Sequence, residues 1–487
     1  MSSDTNDPET TLDPSDWDAF SARAHHMLDQ ALAKMKSARE GPVWRAPSSD
    51  LRDAFDQALP TEGIGGEAVS AQIEKLLPYG VGNTHPRFFG WVHGAGAPSG
   101  LIPDIAGVAM NANLGGRDHG AIAVERQVVR WCREMFDFPL DSSGLIVSGT
   151  SIATLVAMKV ARDQALRFIS RKAGVSGAGL VGYTSQATHS CVAQAFDILG
   201  LGTDALRVVP VTGDYKIDLD ALNVAIAKDR ENGLTPFALI GTAGSVDLGA
   251  IDDLDALADI ARDEGLWYHI DGAFGATAIL SDVVRPRLKG IERADSLAFD
   301  FHKWLHVTYD AGFVLIRSEE AHRRSFAERP EYLQGAERGL AAGNPWPVDY
   351  GPELSRGFRA LKIWAQLAEH GPNKLGAAIT TNCEQAQYLG ARVSEAQELE
   401  LLAPVMLNIC CFRYAAPDVS DLDALNDEIV VELQCQGIAA PSTTTIEGKR
   451  AIRVNLTNHR TTQADLDLLL DEIRRIAGTL LNQKGNS

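Results

Sequence analysis

Cysteine is scarce in this chain: six among 487 residues, at Cys132, Cys191, Cys383, Cys410, Cys411 and Cys435, and none in a CxxC pair. That spacing excludes a disulfide framework and a thiolate metal site, so no metal is expected. The cysteines read as small core residues of a protein in a reducing compartment. Long apolar runs are also missing, and no stretch is long enough to span a bilayer. Positive charge is in deficit. Lys and Arg total 45 against 64 Asp and Glu, a formal net charge of -19, which argues against nucleic acid or an anionic membrane as a main partner. Internal repeats and low-complexity linkers are absent. The segment MSSDTNDPETTLDPSDWDAF is acidic and polar, the opposite of a secretory signal, and the expected location is cytoplasmic.

What is present is an ordinary globular composition, 45% hydrophobic, in a chain long enough for one large core with smaller appendages. Residues 1–85 read as an N-terminal helical segment, with patterns such as FSARAHHMLDQALAKM and AVSAQIEKLLPYG. Over 86–370, β-rich runs alternate with longer helical runs: GLIVSG, GLVGYTS, PFALIGTAG and WYHIDGA, each followed by a helix-like stretch. Such alternation predicts an α/β fold with a mostly parallel central sheet covered by helices. Residues 371–487 mix strands (LNICCFRYA, RAIRVNLTN) with helices and read as a small α+β domain.

Ligands of such sheets sit at the C-terminal strand ends, so the residues just after each strand carry the information. Gly149, Thr150 and Ser151 follow the first strand and open directly into a helix, whose free N–H groups suit a phosphate; a simple Ser/Thr cap is the alternative. His189 follows the second strand and, taken alone, reads as a structural histidine. Asp271 ends WYHID, followed by small Gly272 and Ala273. The stretch AFDFHKWLHV then sets Asp300, His302 and Lys303 in otherwise apolar surroundings, where a lysine is rarely left without a task; the alternative is an outward, snorkelling amine. Each signal is weak alone. Together, an anion-binding turn, a flat ring, a carboxylate and a lysine are what a planar, phosphorylated pyridine aldehyde requires. In that arrangement burial and adjacent charge are expected to lower the Lys303 pKa toward useful nucleophilicity.

On the strength of HPRFF, SGTSIATL, THSCVAQAFDILG, GTAGSVDLGAIDDL, YHIDGAFGA, RADSLAFDFHKWL and GFRALKIW, the sequence resembles the group II pyridoxal-phosphate decarboxylases, which include the aromatic L-amino acid, histidine and glutamate decarboxylases. The resemblance runs from about Trp17 into the C-terminal part. It implies an aspartate aminotransferase-like fold, pyridoxal 5'-phosphate as cofactor, an amino acid as the small-molecule substrate, and a homodimer with shared active sites embraced by the N-terminal helices. It implies further that Lys303 forms the Schiff base, Asp271 pairs with the pyridine nitrogen, His189 stacks on the ring and Ala273 packs on the other face. By the same likeness Gly149, Thr150 and Ser151 hold the phosphate, with Asp300 and His302 close by.

In that family a tyrosine on a mobile loop, supplied across the dimer, protonates the substrate carbon. Tyr350 is the candidate here, and Tyr332 is read as structural. The chain departs from the family pattern at several places. Asp300 stands where many relatives carry asparagine, Ser245 and Val246 where they often carry two threonines, and Trp91, Val92 and His93 are expected to reshape the substrate pocket. Arg117 is expected to pair with Asp118 or a nearby glutamate, or else to read an acidic substrate group. The expected activity is decarboxylation of an L-amino acid with an aromatic or other bulky side chain. The alternatives are an aldehyde synthase or carbon–carbon lyase of the same fold, and an inactive binding or regulatory homologue.

Overall fold

The computed structural model describes residues 11–328, 335–417 and 419–484. Helix α1 (Trp17–Lys36) starts where the Asp16 carboxylate accepts from Ala19 N at 2.9 Å, a side-chain cap that satisfies an otherwise orphaned donor. It is followed by α2 (Ser49–Ala54) and α3 (Gly66–Leu76), and none of the three buries a residue. The short α2 lies in what the sequence presents as a connector. Next come α4 (Leu101–Met110) and α5 (Gly120–Met135), which buries Val128 and Cys132.

The α/β part then begins. Strand β1 (Ser143–Val147) runs into α6 (Thr150–Ala165), and α7 (Ser170–Ala173) leads to β2 (Leu180–Ser185). After α8 (Cys191–Ile198) come β3 (Leu206–Val209), α9 (Leu219–Glu231), β4 (Thr235–Thr242), α10 (Leu254–Glu264) and β5 (Trp267–Asp271). Strands β6 (Ser296–Asp300) and β7 (Gly312–Ile316) complete a seven-stranded sheet in the order β1-β7-β6-β5-β4-β2-β3. The run from β6 to β3 is parallel. Strand β7 is antiparallel to both its neighbours and lies between β1 and β6.

The pleat divides the apolar residues between two cores. Leu145, Val147, Ala238 and Ile240 face one side with α6 and α8, while Ile146, Leu239 and Ile270 face the other. Burial on both faces is why these strands read as continuous apolar runs.

Helix α11 (Glu319–Phe326) precedes α12 (Arg359–Glu395), which breaks at Gly371 (φ 70°) because Pro372 cannot donate the next helical bond. Beyond it, β8 (Leu399–Leu401), β9 (Ile409–Tyr414), α13 (Leu422–Cys435), β10 (Ser442–Ile446), β11 (Lys449–Asn455) and α14 (Gln463–Lys484) build an antiparallel sheet in the order β10-β11-β9-β8. Leu425, Ile429, Leu466 and Leu469 give this part its own core. Strands β8 and β10 carry too little alternation to be read from sequence. Cys132, Cys191, Cys410 and Cys411 are buried, Cys383 is partly so and Cys435 is exposed. Among the described residues no helix is long and apolar enough to cross a membrane.

Candidate active site

The parallel strands deliver their functional residues to one edge of the sheet. Strand β1 ends at Val147, and Gly149 begins α6 with the extended backbone of an N-cap (φ -177°). Gly312, at the start of β7, abuts this turn so closely that a Cβ on it would fall on Gly149 Cα and 2.8 Å from Asp300 Oδ1. Thr150 is buried, and among the described residues its hydroxyl has no hydrogen-bond partner. A buried hydroxyl without a partner at a helix N-terminus fits an anion such as phosphate. Ser151, one residue on, is exposed.

Strand β5 delivers Asp271, a buried carboxylate that accepts from Ala273 N at 3.1 Å. Burial pushes its carboxyl up, and the charges of Lys303 and His189 and the Ala273 N–H pull against that shift. His189 lies exposed on the turn after β2, its Nδ1 accepting from Cys191 N at 3.2 Å.

Strand β6 delivers Asp300 and, just beyond it, Lys303. Asp300 faces two ways: Oδ1 accepts from Thr150 N at 2.7 Å, and Oδ2 lies 3.0 Å from Lys303 Nζ and 3.7 Å from His302 Nε2. His302 is buried and accepts from Ala311 N at Nδ1 (3.0 Å); burial lowers its pKa, so the ring is neutral. The Lys303 side chain is 22% exposed, while Trp304 and Leu305 beside it are fully buried. The amine therefore neither snorkels into solvent nor packs in the core. It opens onto the cleft between Asp300 and Asp271.

The direction of the Lys303 shift corrects the sequence expectation. Burial alone would lower its pKa, but the adjacent Asp300 carboxylate outweighs burial and holds the ammonium above its ordinary value. Replacing Asp300 with isosteric Asn removes that charge while an amide oxygen still faces Thr150 N. In Asp300→Asn the fraction of uncharged Lys303 amine at neutral pH is expected to rise. The apoenzyme should then capture pyridoxal phosphate correspondingly faster, measured by the growth of visible absorbance after mixing; an unchanged rate would refute the pairing.

The structure does not bring Tyr350 to this cleft. Its hydroxyl donates to Glu319 Oε1 at 2.5 Å, and its ring packs 5.1 Å from that of His322, whose Nε2 meets the Tyr350 carbonyl oxygen at 2.7 Å. Within one chain, Glu319 and His322 of α11 thus fix the Tyr350 side chain away from Lys303. Tyr350→Phe is accordingly expected to keep kcat within about threefold and to lower stability by about 1 kcal/mol, the worth of one hydrogen bond, as read by steady-state kinetics and thermal melting. Tyr332 lies outside the described residues.

Arg117 also differs from expectation. Among the described residues it forms no ion pair, and its guanidinium instead stacks over Trp346 at 4.9 Å. Ser245 turns its hydroxyl to Ala250 N at 3.1 Å within its own loop.

Three residues that sequence reasoning passed over shape the site. Arg356 is buried and donates to Glu125 Oε1 (2.6 Å), Leu114 O (2.8 Å) and Ile146 O (2.6 Å), tying the end of β1 to the loop before α5. Arg453 of β11 is buried among carbonyls, donating to Trp91 O at 2.8 Å and Asp247 O at 3.1 Å, and so joins the C-terminal sheet to the cleft. Tyr309 lies with its ring 4.4 Å from that of His302. Its only sequence signal is an aromatic residue in the loop between the lysine and the next strand.

The segment carrying Trp91 and His93 is pressed onto the lysine itself. A Cβ on Gly94 would collide with His302 O and lie 2.5 Å from Lys303 O, so only glycine fits. Trp91, Phe88 and His93 form a ring cluster with centroids 5.6 to 6.1 Å apart, and His93 meets Tyr309 at 6.1 Å.

An acid and a lysine at adjacent strand ends, facing an anion-ready helix start on a mostly parallel sheet, define the pyridoxal-phosphate enzymes of fold type I. The family model for the pyridoxal-dependent decarboxylase conserved domain matches residues 48–415, and the chain belongs to that family. It is 32% identical over 462 residues to the aromatic-L-amino-acid decarboxylase of Bacillus atrophaeus, covering 93% of this chain and 94% of the relative. It is 28% identical over 502 residues to tyrosine decarboxylase 4 of Petroselinum crispum, covering 96% of each. Among solved structures, Oryza sativa TDC with PLP and tryptamine superposes with a TM-score of 0.87 at 24% identity, over 96% of this chain and 100% of the other. Mouse CSAD does so with a TM-score of 0.87 at 25% identity, over 95% and 99%. The protein is a pyridoxal-phosphate-dependent amino acid carboxy-lyase.

Proposed function

We propose that this carboxy-lyase removes carbon dioxide from an aromatic L-amino acid to leave the amine. The observation that carries the reading is the cluster of Trp91, His93 and Tyr309, rings carried on segments packed against His302 and Lys303 and backed by the buried Phe88. Flat faces of this kind bury an aromatic side chain well and leave little for a short aliphatic one. Bound pyridoxal phosphate supplies an electron sink for the pair left behind when carbon dioxide departs.

The chain's own residues would do the rest. Gly149, Thr150 and Ser151 would hold the phosphate at the start of α6, with Asp300 and His302 beside it. Asp271 would keep a proton on the ring nitrogen, His189 would stack on one ring face, and small Ala273 would leave room on the other. Lys303 would tether the aldehyde and exchange it for the substrate amine.

The reading includes a homodimer. Helix α4 exposes Ile102 (77%) and Val108 (81%), and on α1 Trp17 and Phe20 are exposed too, large apolar side chains that a partner subunit would bury. A second copy would cover it, and sedimentation should give twice the 52.4 kDa chain mass.

Incubating the cofactor-loaded enzyme with individual L-amino acids tests the function. Carbon dioxide and amine in equal amounts from aromatic substrates support it. Aldehyde with ammonia and hydrogen peroxide, formed at the expense of dioxygen and water, would show an aldehyde synthase instead.

A further inference from the structure

Tyr309 brings to the cleft a hydroxyl that none of the roles above uses. Its position is fixed from several directions. Lys362 Nζ donates to Tyr309 O at 2.8 Å, and Arg359 Nε donates to Asp310 Oδ1 at 2.7 Å, clamping the loop. The ring lies at 34° to that of His302 and meets His93 edge-on at 62°. Yet the residue is 48% exposed, so this clamp leaves part of it open to a ligand.

The polar atoms there are unevenly committed. The Gly94 backbone N–H faces the phenol oxygen, and the charges of Lys303 and Asp300 both reach it. Among the described residues the phenol's proton meets no acceptor. His93, next to it, has a buried Nδ1 without a partner, and burial together with nearby Lys303 keeps its ring neutral. Trp91, 53% exposed, supplies an apolar face on the same wall.

The neighbouring cations are already occupied: Lys362 by the Tyr309 carbonyl, Arg359 by Asp310, Arg356 by Glu125, and Arg453 by backbone carbonyls. An acidic side chain would find no free partner on this wall. An unsubstituted ring would bury the phenol and leave its donor unmet, which is costly.

We propose that Tyr309, with His93 beside it, reads the substrate's side chain by donating a hydrogen bond to a ring hydroxyl, so that the enzyme selects a hydroxylated aromatic amino acid over its unsubstituted counterpart. This inference rests on the aromatic-substrate reading above and adds the residues that discriminate within it.

The test uses the cofactor-loaded full chain with L-tyrosine and L-phenylalanine. Wild type should favour tyrosine in kcat/KM by at least about tenfold. Tyr309→Phe, which removes only the oxygen, should bring that ratio below about threefold, with most of the change in KM. Inhibition by the product amines, tyramine against 2-phenylethylamine, should lose its discrimination in parallel, as an equilibrium measure independent of turnover. The visible absorbance of the bound cofactor reports whether the variant's site is assembled. A wild-type ratio near one overturns the proposal without any variant, and so does a Tyr309→Phe ratio equal to wild type. Turnover of neither by wild type also overturns the proposal, and refusal of L-tryptophan and L-histidine as well overturns the aromatic-substrate reading, an outcome distinct from turnover of tyrosine and phenylalanine without preference.

Discussion

Replacing Lys303 with alanine is expected to lower turnover by at least about 10^4-fold, the scale seen when a covalent group is removed from a catalytic site. The Lys303 amine lies 3.0 Å from the Asp300 carboxylate, and its charge acts on Asp271. The fold should survive. The lysine is partly open to the cleft, and Asp300 keeps its bond from Thr150 N and its neighbour His302. Two measurements check this. Wild type should retain a visible cofactor band through gel filtration and have it trapped by borohydride, while Lys303→Ala should lose the band and keep its circular dichroism. Turnover retained in the variant would remove the central assignment.

Asp271→Asn is the second large effect. The substitution preserves shape, and an amide oxygen can still accept from Ala273 N, so little unfolding is expected. What it removes is a buried negative charge. In a site closed to water such a charge acts at low dielectric, and losing it is expected to cost roughly 10^3-fold in kcat. Binding of the substrate amine draws on other groups, so KM should move far less. Stopped-flow measurement of carbon dioxide release separates the two, and a near-normal rate would rule out Asp271 as the partner of the ring nitrogen.

Much of this site was legible because its chemistry sits where a simple rule looks for it, just after parallel strands. Val147, Asp271 and Asp300 each end a strand whose apolar run is visible in sequence. What was not legible depends on contacts distant in the chain. Tyr350 looks free in sequence because Glu319, its partner, lies on a preceding helix. The direction of the Lys303 shift required knowing that Asp300, three residues away, turns its carboxylate back toward the amine. Tyr309 is one aromatic residue among many until its ring is seen against His302 and His93. Arg117 was read by charge alone, whereas the flat face of Trp346 offered a better neighbour.

The placement of β7 has a bearing on how the enzyme comes to exist. This strand is made after the acid and the lysine, yet it lies between β6 and β1, pairing Gly312 with Asp300 on one side and with Val147 on the other. While the chain is still emerging from the ribosome, the helix start at Thr150 and the amine at Lys303 belong to strands not yet bridged. Vitamin B6 capture is therefore a late event in the life of the nascent chain, and a fragment ending before Gly312 should be unable to hold the cofactor.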